Sequence, residues 1–151
     1  MMKYFLMNAI LSYLGSVSFG IIINVPRRLL NNAGITGVCG WFVYLMCQNL
    51  NLGVFLSNFL GALVIGLVSY VFARLQKVPI LNFNVSALIC LAPGALMYEG
   101  VHNTIFKGVN VGMTIIVRVM IVILALAVGT MLSQLIYEAM KHIWDRIEMR
   151  N

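Results

Sequence analysis

The sequence predicts an all-α integral membrane protein with about five transmembrane helices, a Pro-Gly break in the fourth and an amphipathic C-terminal helix. Three observations predict it. Of the 151 residues, 62% are hydrophobic and only 9% are charged, against about 45–50% and about 25% in a typical soluble domain. Mean hydropathy is +0.97. The apolar residues are gathered into long runs separated by short basic gaps. Charge this scarce cannot coat a soluble protein of this length, so lipid must cover the apolar faces. A soluble globular domain, a disordered tail and a nucleic-acid module are excluded, the last because the basic residues occupy the gaps between spans.

The first run, Tyr4–Val25, outlasts a signal-peptide core of about 7–15 residues and is a retained span. Pro26 ends it, and Arg27-Arg28-Leu29-Leu30 follows as a short basic segment at the water boundary. The second run, Gly34–Gln48, is barely long enough to cross, and Trp41 and Tyr44 suggest a short helix that is tilted or hugs the interface. If it were re-entrant, the crossings would fall to four. The third, Val54–Ala73, is closed by Arg74, Gln76 and Lys77 ahead of Pro79. The fourth, Ile80–Val101, carries Asn82, Asn84 and Ser86 early and Pro93-Gly94 in its middle. The fifth, Val111–Tyr137, holds one charge, Arg118. Beyond it Ile136, Met140, Ile143, Trp144 and Ile147 recur at helical spacing, which predicts an amphipathic tail over 138–151 along the bilayer surface. The whole chain, 1–151, is then one transmembrane domain.

Basic residues set the orientation. With the N-terminus outside, the inner side holds Arg27, Arg28, Arg74, Lys77, Lys141, Arg146 and Arg150, and the outer side only Lys3 and Lys107. That asymmetry predicts five spans in the cytoplasmic membrane, N-terminus out and C-terminus in.

No GxSxG, HExxH, P-loop or GxGxxG occurs, so the sequence points away from an enzyme. Cys39, Cys47 and Cys90 form no CxxC and stand far from His102 and His142. Neither a metal nor another cofactor is expected. Asn8, Ser12, Ser16, Gly20 and Asn24 recur every four residues, a stripe that suits helix packing or a polar track. Ser57/Gly61, Ala62/Gly66 and Ala125/Gly129/Ser133 are read as packing steps. Pro93-Gly94 predicts a kinked or broken helix, and such breaks form substrate sites in transporters. Arg118 either snorkels to the headgroups, pairs with Glu99, or attracts a carboxylate substrate. The candidate pathway residues are therefore Asn24, Asn82, Asn84, Ser86, Pro93, Gly94 and Tyr98, with Glu99 and Arg118 as a candidate charge pair.

Several strings together carry a resemblance. They are Phe19-Gly20 with Asn24-Val25-Pro26-Arg27-Arg28-Leu29-Leu30, Gly37-Val38-Cys39-Gly40-Trp41, Gly61-Ala62-Leu63-Val64-Ile65-Gly66-Leu67, and Leu91-Ala92-Pro93-Gly94 with Tyr98. Over roughly residues 16–100, in this order, the chain resembles the threonine/serine exporter (ThrE-like) family, in particular its small membrane subunit, the YjjB-like half. The resemblance implies export of a small hydrophilic metabolite, threonine or serine or a dicarboxylate such as succinate, driven by the proton motive force. It also implies a larger partner subunit with a cytoplasmic portion, within a homo- or hetero-oligomer. Gly94→Leu would then abolish efflux. A non-transporting scaffold that stabilises a partner, and a small pore former, are the alternative readings of the same residues.

Overall fold

The computed structural model describes residues 2–148, with the side chains of Lys3 and of residues 5–140. Every element among the described residues is an α-helix. In chain order these are α1 (Met2–Ile22), α2 (Arg27–Asn49), α3 (Val54–Gln76), α4 (Leu81–Leu88), α5 (Gly94–Lys107) and α6 (Val109–Glu148). Four helices, α1, α2, α3 and α6, are long and apolar enough to cross a membrane. The fourth expected span is divided between α4 and α5, and neither half is long enough to cross alone.

Local chemistry sets the ends. Asn24 takes the left-handed conformation (φ 61°), which asparagine tolerates, and Val25 N–H bonds back to the Gly20 carbonyl at 2.9 Å. Pro26 then stands immediately before α2, where its missing N–H costs nothing. The expected basic surface segment at Arg27–Leu30 is instead the first turn of a 23-residue α2, so the second span is full length. Fixed charge at those positions made the span look shorter than it is. Lys77 (φ 52°) closes α3, and Val78 N–H returns to the Ala73 carbonyl at 3.1 Å. Gly108 (φ 97°) is the single residue between α5 and α6, a conformation glycine adopts without a Cβ penalty.

Small residues set the neighbours. Gly34 and Gly37 of α2 lie against Tyr13 and Ser16 of α1, and Gly20 lies against Leu30, so α1 and α2 are antiparallel. Gly40 and Gly61 face each other where α2 and α3 cross, and a Cβ on either would lie 3.2 Å from the other's carbonyl oxygen. The pairs Ala62/Gly129, Gly66/Ser133 and Tyr70/Tyr137 advance in step, which makes α3 and α6 parallel. Gly100/Ile116 and Thr104/Gly112 make α5 and α6 antiparallel. Small side chains let helix backbones approach closely, which is how helices associate where lipid removes the hydrophobic drive.

Carried to its start, the α3–α6 register sets Val54 level with Ile121. Residues 109–120 of α6 therefore run on past α3 by about 18 Å, at about 1.5 Å per residue. All of α5 packs along that overhang. Arg27, Arg28, Arg74 and Lys77 share one end of the bundle, and the break between α4 and α5 lies toward the other. Near the basic end Val25, Leu29, Ala33, Ala73 and Phe83 form one buried apolar cluster. Ala62, Ile65, Ala87 and Leu91 form a second, midway along. The helix of the tail continues α6 without interruption to Glu148; the side chains from Lys141 onward, which carry its amphipathic pattern, lie outside the described residues.

Candidate functional site: a cavity at the helix break

The break begins with Pro93. Proline has no N–H to continue a helix, and its ring opposes the preceding turn. α4 gives out in two tight turns, Leu91 N–H to the Leu88 carbonyl at 3.0 Å and Ala92 N–H to the same carbonyl at 3.1 Å. Around Pro93 (φ −80°, ψ 44°) the chain makes an inverse γ-turn, closed by Gly94 N–H to the Ala92 carbonyl at 2.9 Å. α5 restarts when Met97 N–H reaches the Pro93 carbonyl at 2.9 Å. The N–H groups of Ala95 and Leu96 fall in that first turn, which has no intrahelical acceptors for them.

Beside the break lies a cavity of about 460 Å³. Trp41, Tyr44 and Gln48 of α2 form one wall, Val54 and Asn58 of α3 another, and Arg118 and Val122 of α6 a third. The segment from Cys90 to Pro93, with Ala95 and Leu96, completes it. Its floor is the midway apolar cluster, through Leu91, Trp41 and Tyr44. Gln48 Nε2 donates to Tyr44 Oη at 3.1 Å, and Asn58 Nδ2 donates to the Val54 carbonyl at 2.8 Å. Asn58 is only 4% exposed, so its amide is fixed and its Oδ1 remains as an acceptor. A smaller recess of about 250 Å³ adjoins, lined by Asn8, Leu11, Ser12, Gly15, Trp41, Ile89 and Cys90.

The cavity's electrostatics are one-sided. Arg118 is the one charged group among its lining residues. The N-terminus of α5 adds partial positive charge from its unpaired N–H groups. The carbonyl end of α4 borders the same space and supplies the opposite pole. A guanidinium, a helix N-terminus and several neutral hydrogen-bonding groups suit a small polar anion or zwitterion.

Of the residues expected from sequence, the cavity takes Pro93 and Arg118. Gly94 adjoins it but is exposed. Asn24 lies at the opposite end of the bundle, exposed in the turn between α1 and α2. Asn82, Asn84 and Ser86 lie on α4, toward the basic end. The Ser86 hydroxyl donates to the Asn82 carbonyl at 2.8 Å, and Asn84 Oδ1 is buried without a partner. Tyr98 is 72% exposed on α5, with its ring 5.9 Å from that of His102. Glu99 is exposed on the same helix and forms no ion pair with Arg118. The polar groups of the fourth run are thus not gathered into one site. Ser86 faces Gly20 of α1, and the α5 members stand on the overhang.

Trp41, Tyr44, Gln48 and Asn58 were missed from sequence. Gln48 and Asn58 are polar side chains flanking the uncharged turn at 49–53, and that signal was present. Nothing in sequence sets them opposite Pro93. Cys39, Cys47 and Cys90 are free thiols, and the described residues hold no cluster of His, Cys, Asp and Glu suited to a metal.

No solved structure matches the chain. A family model does, and it covers the break, both cavities, all of α2 to α5, α1 from Asn8 onward and α6 as far as Ile136. Matching residues 8–136 to the family described as Threonine/Serine exporter, ThrE, it establishes that this membrane protein belongs to the threonine/serine exporter family.

Proposed function

We propose that the chain is the small subunit of a two-component exporter and that the cavity at the break is its solute site. The solute is threonine or serine, moved outward across the cytoplasmic membrane with the basic end of the bundle inside. One observation carries this reading: Arg118 and the N-terminus of α5 meet in a cavity whose other polar groups are neutral. The carboxylate of the solute pairs with Arg118 and the Ala95 and Leu96 N–H groups. Its ammonium turns to Tyr44, the Asn58 Oδ1 and the carbonyl end of α4, as half-helix ends serve the two poles of a zwitterion. The hydroxyl of threonine or serine has Gln48 within the same wall.

A dicarboxylate such as succinate is the second reading, favoured because no acidic group is among the lining residues to hold an ammonium. Export against a gradient needs a driving ion, and proton coupling needs a titrating carboxylate. Glu99 stands on the overhang away from the cavity lining, so the larger subunit, with its cytoplasmic portion, supplies that group.

The test is efflux of labelled threonine, serine and succinate from cells that express both subunits. Arg118→Gln is expected to lower efflux about tenfold or more, the loss of one charge-assisted contact, with unchanged protein in the membrane. Arg118→Lys should retain part of it. Efflux that survives Arg118→Gln at full rate would remove the cavity from the pathway.

A further inference from the structure

The apolar part of α6 is longer than a bilayer can hold. It runs Val109–Met140, 32 residues, or about 48 Å at 1.5 Å per residue. A hydrocarbon core is about 30 Å thick, with roughly 5–8 Å of headgroups on each side. Fitting the whole stretch inside the core needs a tilt of about 50°, beyond the roughly 0–40° that spans adopt. The seam with α3 also forbids it, because the 23 residues of α3 already fill the core upright. From Val101 on α5, across Gly108, to Ile115 on α6, the hairpin lies about 9 Å or more past the start of α3. That places it above the headgroups.

This part of the hairpin is nevertheless apolar. Among the described elements α5 packs along α6 alone, through Gly100 and Thr104. The opposite side of α5 carries Tyr98, Val101, His102, Ile105 and Phe106, the spacing of a helix face that is buried. Here it is bare, with Val101 56%, Ile105 70% and Phe106 73% exposed. The rings of Tyr98, His102 and Phe106 line up, with centroids 5.9 and 4.6 Å apart. Glu99 and Lys107 fall outside the stripe. With Met97 beside them, these side chains expose on the order of 800 Å², about what each partner brings to an interface of standard size.

Whatever covers the stripe must rise as far above the membrane as the stripe does. A second copy does so by construction. Turned about a twofold axis along the membrane normal, it keeps its orientation in the bilayer and brings its own overhang to the same height. The two α5 helices then run parallel, and each stripe residue meets its counterpart. Tyr98, His102 and Ile105 are spaced four and three residues apart, as the seam of a parallel helix pair requires. Val101 and Phe106 flank that seam and are apolar where an exposed pair would carry charge. We propose that the chain forms a homodimer through this stripe, α5 against α5, above the outer face of the membrane.

The experiment identifies the occupant by cross-linking. The full chain is expressed with its larger subunit as two differently tagged copies, carrying Phe106→benzoylphenylalanine, a near-isosteric change that leaves the fold's seams alone. Asn110→benzoylphenylalanine, at a similar height on the side of α6 away from α5, is the control. Illuminated membranes should yield an adduct of the two tagged copies from position 106, about fivefold or more above that from position 110. In a background with Cys39, Cys47 and Cys90 changed to alanine, Ile105→Cys should form a copy-to-copy disulfide on mild oxidation, and Asn110→Cys should not. Counterparts on a parallel seam lie within the Cα separation of about 4.4–6.8 Å that a disulfide spans. An adduct from position 106 to the larger subunit in place of a second copy, adducts to lipid alone, or equal yields at 106 and 110 would overturn the homodimer. None of these measurements uses the solute, so the outcome for Arg118→Gln in efflux leaves them as they are.

Discussion

Arg118 and Gly94 show how a residue's meaning depends on level. In the sequence Arg118 lies several residues inside an apolar run, so it looked buried in lipid. The parallel register sets it just beyond the start of α3, at the mouth of the cavity, where water and headgroups can reach a guanidinium. Gly94 moves the other way. Its place after Pro93 made it a candidate pathway residue, yet it is exposed, and a Cβ there meets nothing within 4 Å. Gly94→Ala is therefore expected to insert normally, to keep efflux within about twofold, and to alter stability by less than about 1 kcal/mol. Gly94→Leu, which sets a branched side chain beside the cavity, is still expected to abolish efflux. A labelled-threonine efflux assay with a membrane-fraction blot checks both, and loss of efflux in the alanine variant would return the role to the glycine.

Among the elements, the α3–α6 seam has the least room to yield. A Cβ on Gly129 would lie 2.6 Å from the Phe59 carbonyl oxygen and 2.9 Å from the Ala62 Cβ. The first of these is backbone, which cannot rotate away, so the helices must separate. Gly129→Ala is expected to cost about 1–3 kcal/mol, the range for overpacking, seen as a lower unfolding midpoint in detergent; an unchanged midpoint would mean that the seam is looser than drawn. The small-residue steps at Ala62/Gly66 and Ala125/Gly129/Ser133 were visible in sequence as four-residue periodicity. That they meet each other, and in parallel, was not visible, because periodicity names a face and leaves its partner open. The length of α2 was obscured for a different reason. Arg27 and Arg28 carry the charge of a loop, yet arginine is a good helix former and its long stem lets the head stay in water from a helix's first turn.

For the whole molecule, successive crossing segments alternate in direction, with α4 and α5 together making the fourth pass. The N-terminus of α1 and the C-terminal end of α6 consequently lie at opposite ends. Arg27, Arg28, Arg74 and Lys77 collect at one end, and Lys3 and Lys107 belong to the other. With that basic end inside, Lys3→Cys and Lys107→Cys should react with an impermeant maleimide on intact cells, and Arg28→Cys only after permeabilisation. The reverse pattern would invert the proposed direction of the cavity. The overhang of α5 on α6 bears Tyr98, His102 and Phe106 in a row of rings on its exposed side.

Composition and periodicity alone determined that lipid is the solvent, that the chain is helical, and that Pro93 interrupts the fourth run. These follow from quantities that sum along the chain: hydropathy over about 20 residues, charge in the gaps, and proline's missing donor. The ordered strings of residues also marked the family before any geometry was known. Only the tertiary structure decided which polar groups share a space. It set Gln48, Asn58 and Arg118 around the break and left Asn24, Tyr98 and Glu99 away from it. The physical reason is that a helix fixes angle and rise within itself, while depth and partner come from close backbone contacts such as Gly40 with Gly61 and Gly129 with Phe59.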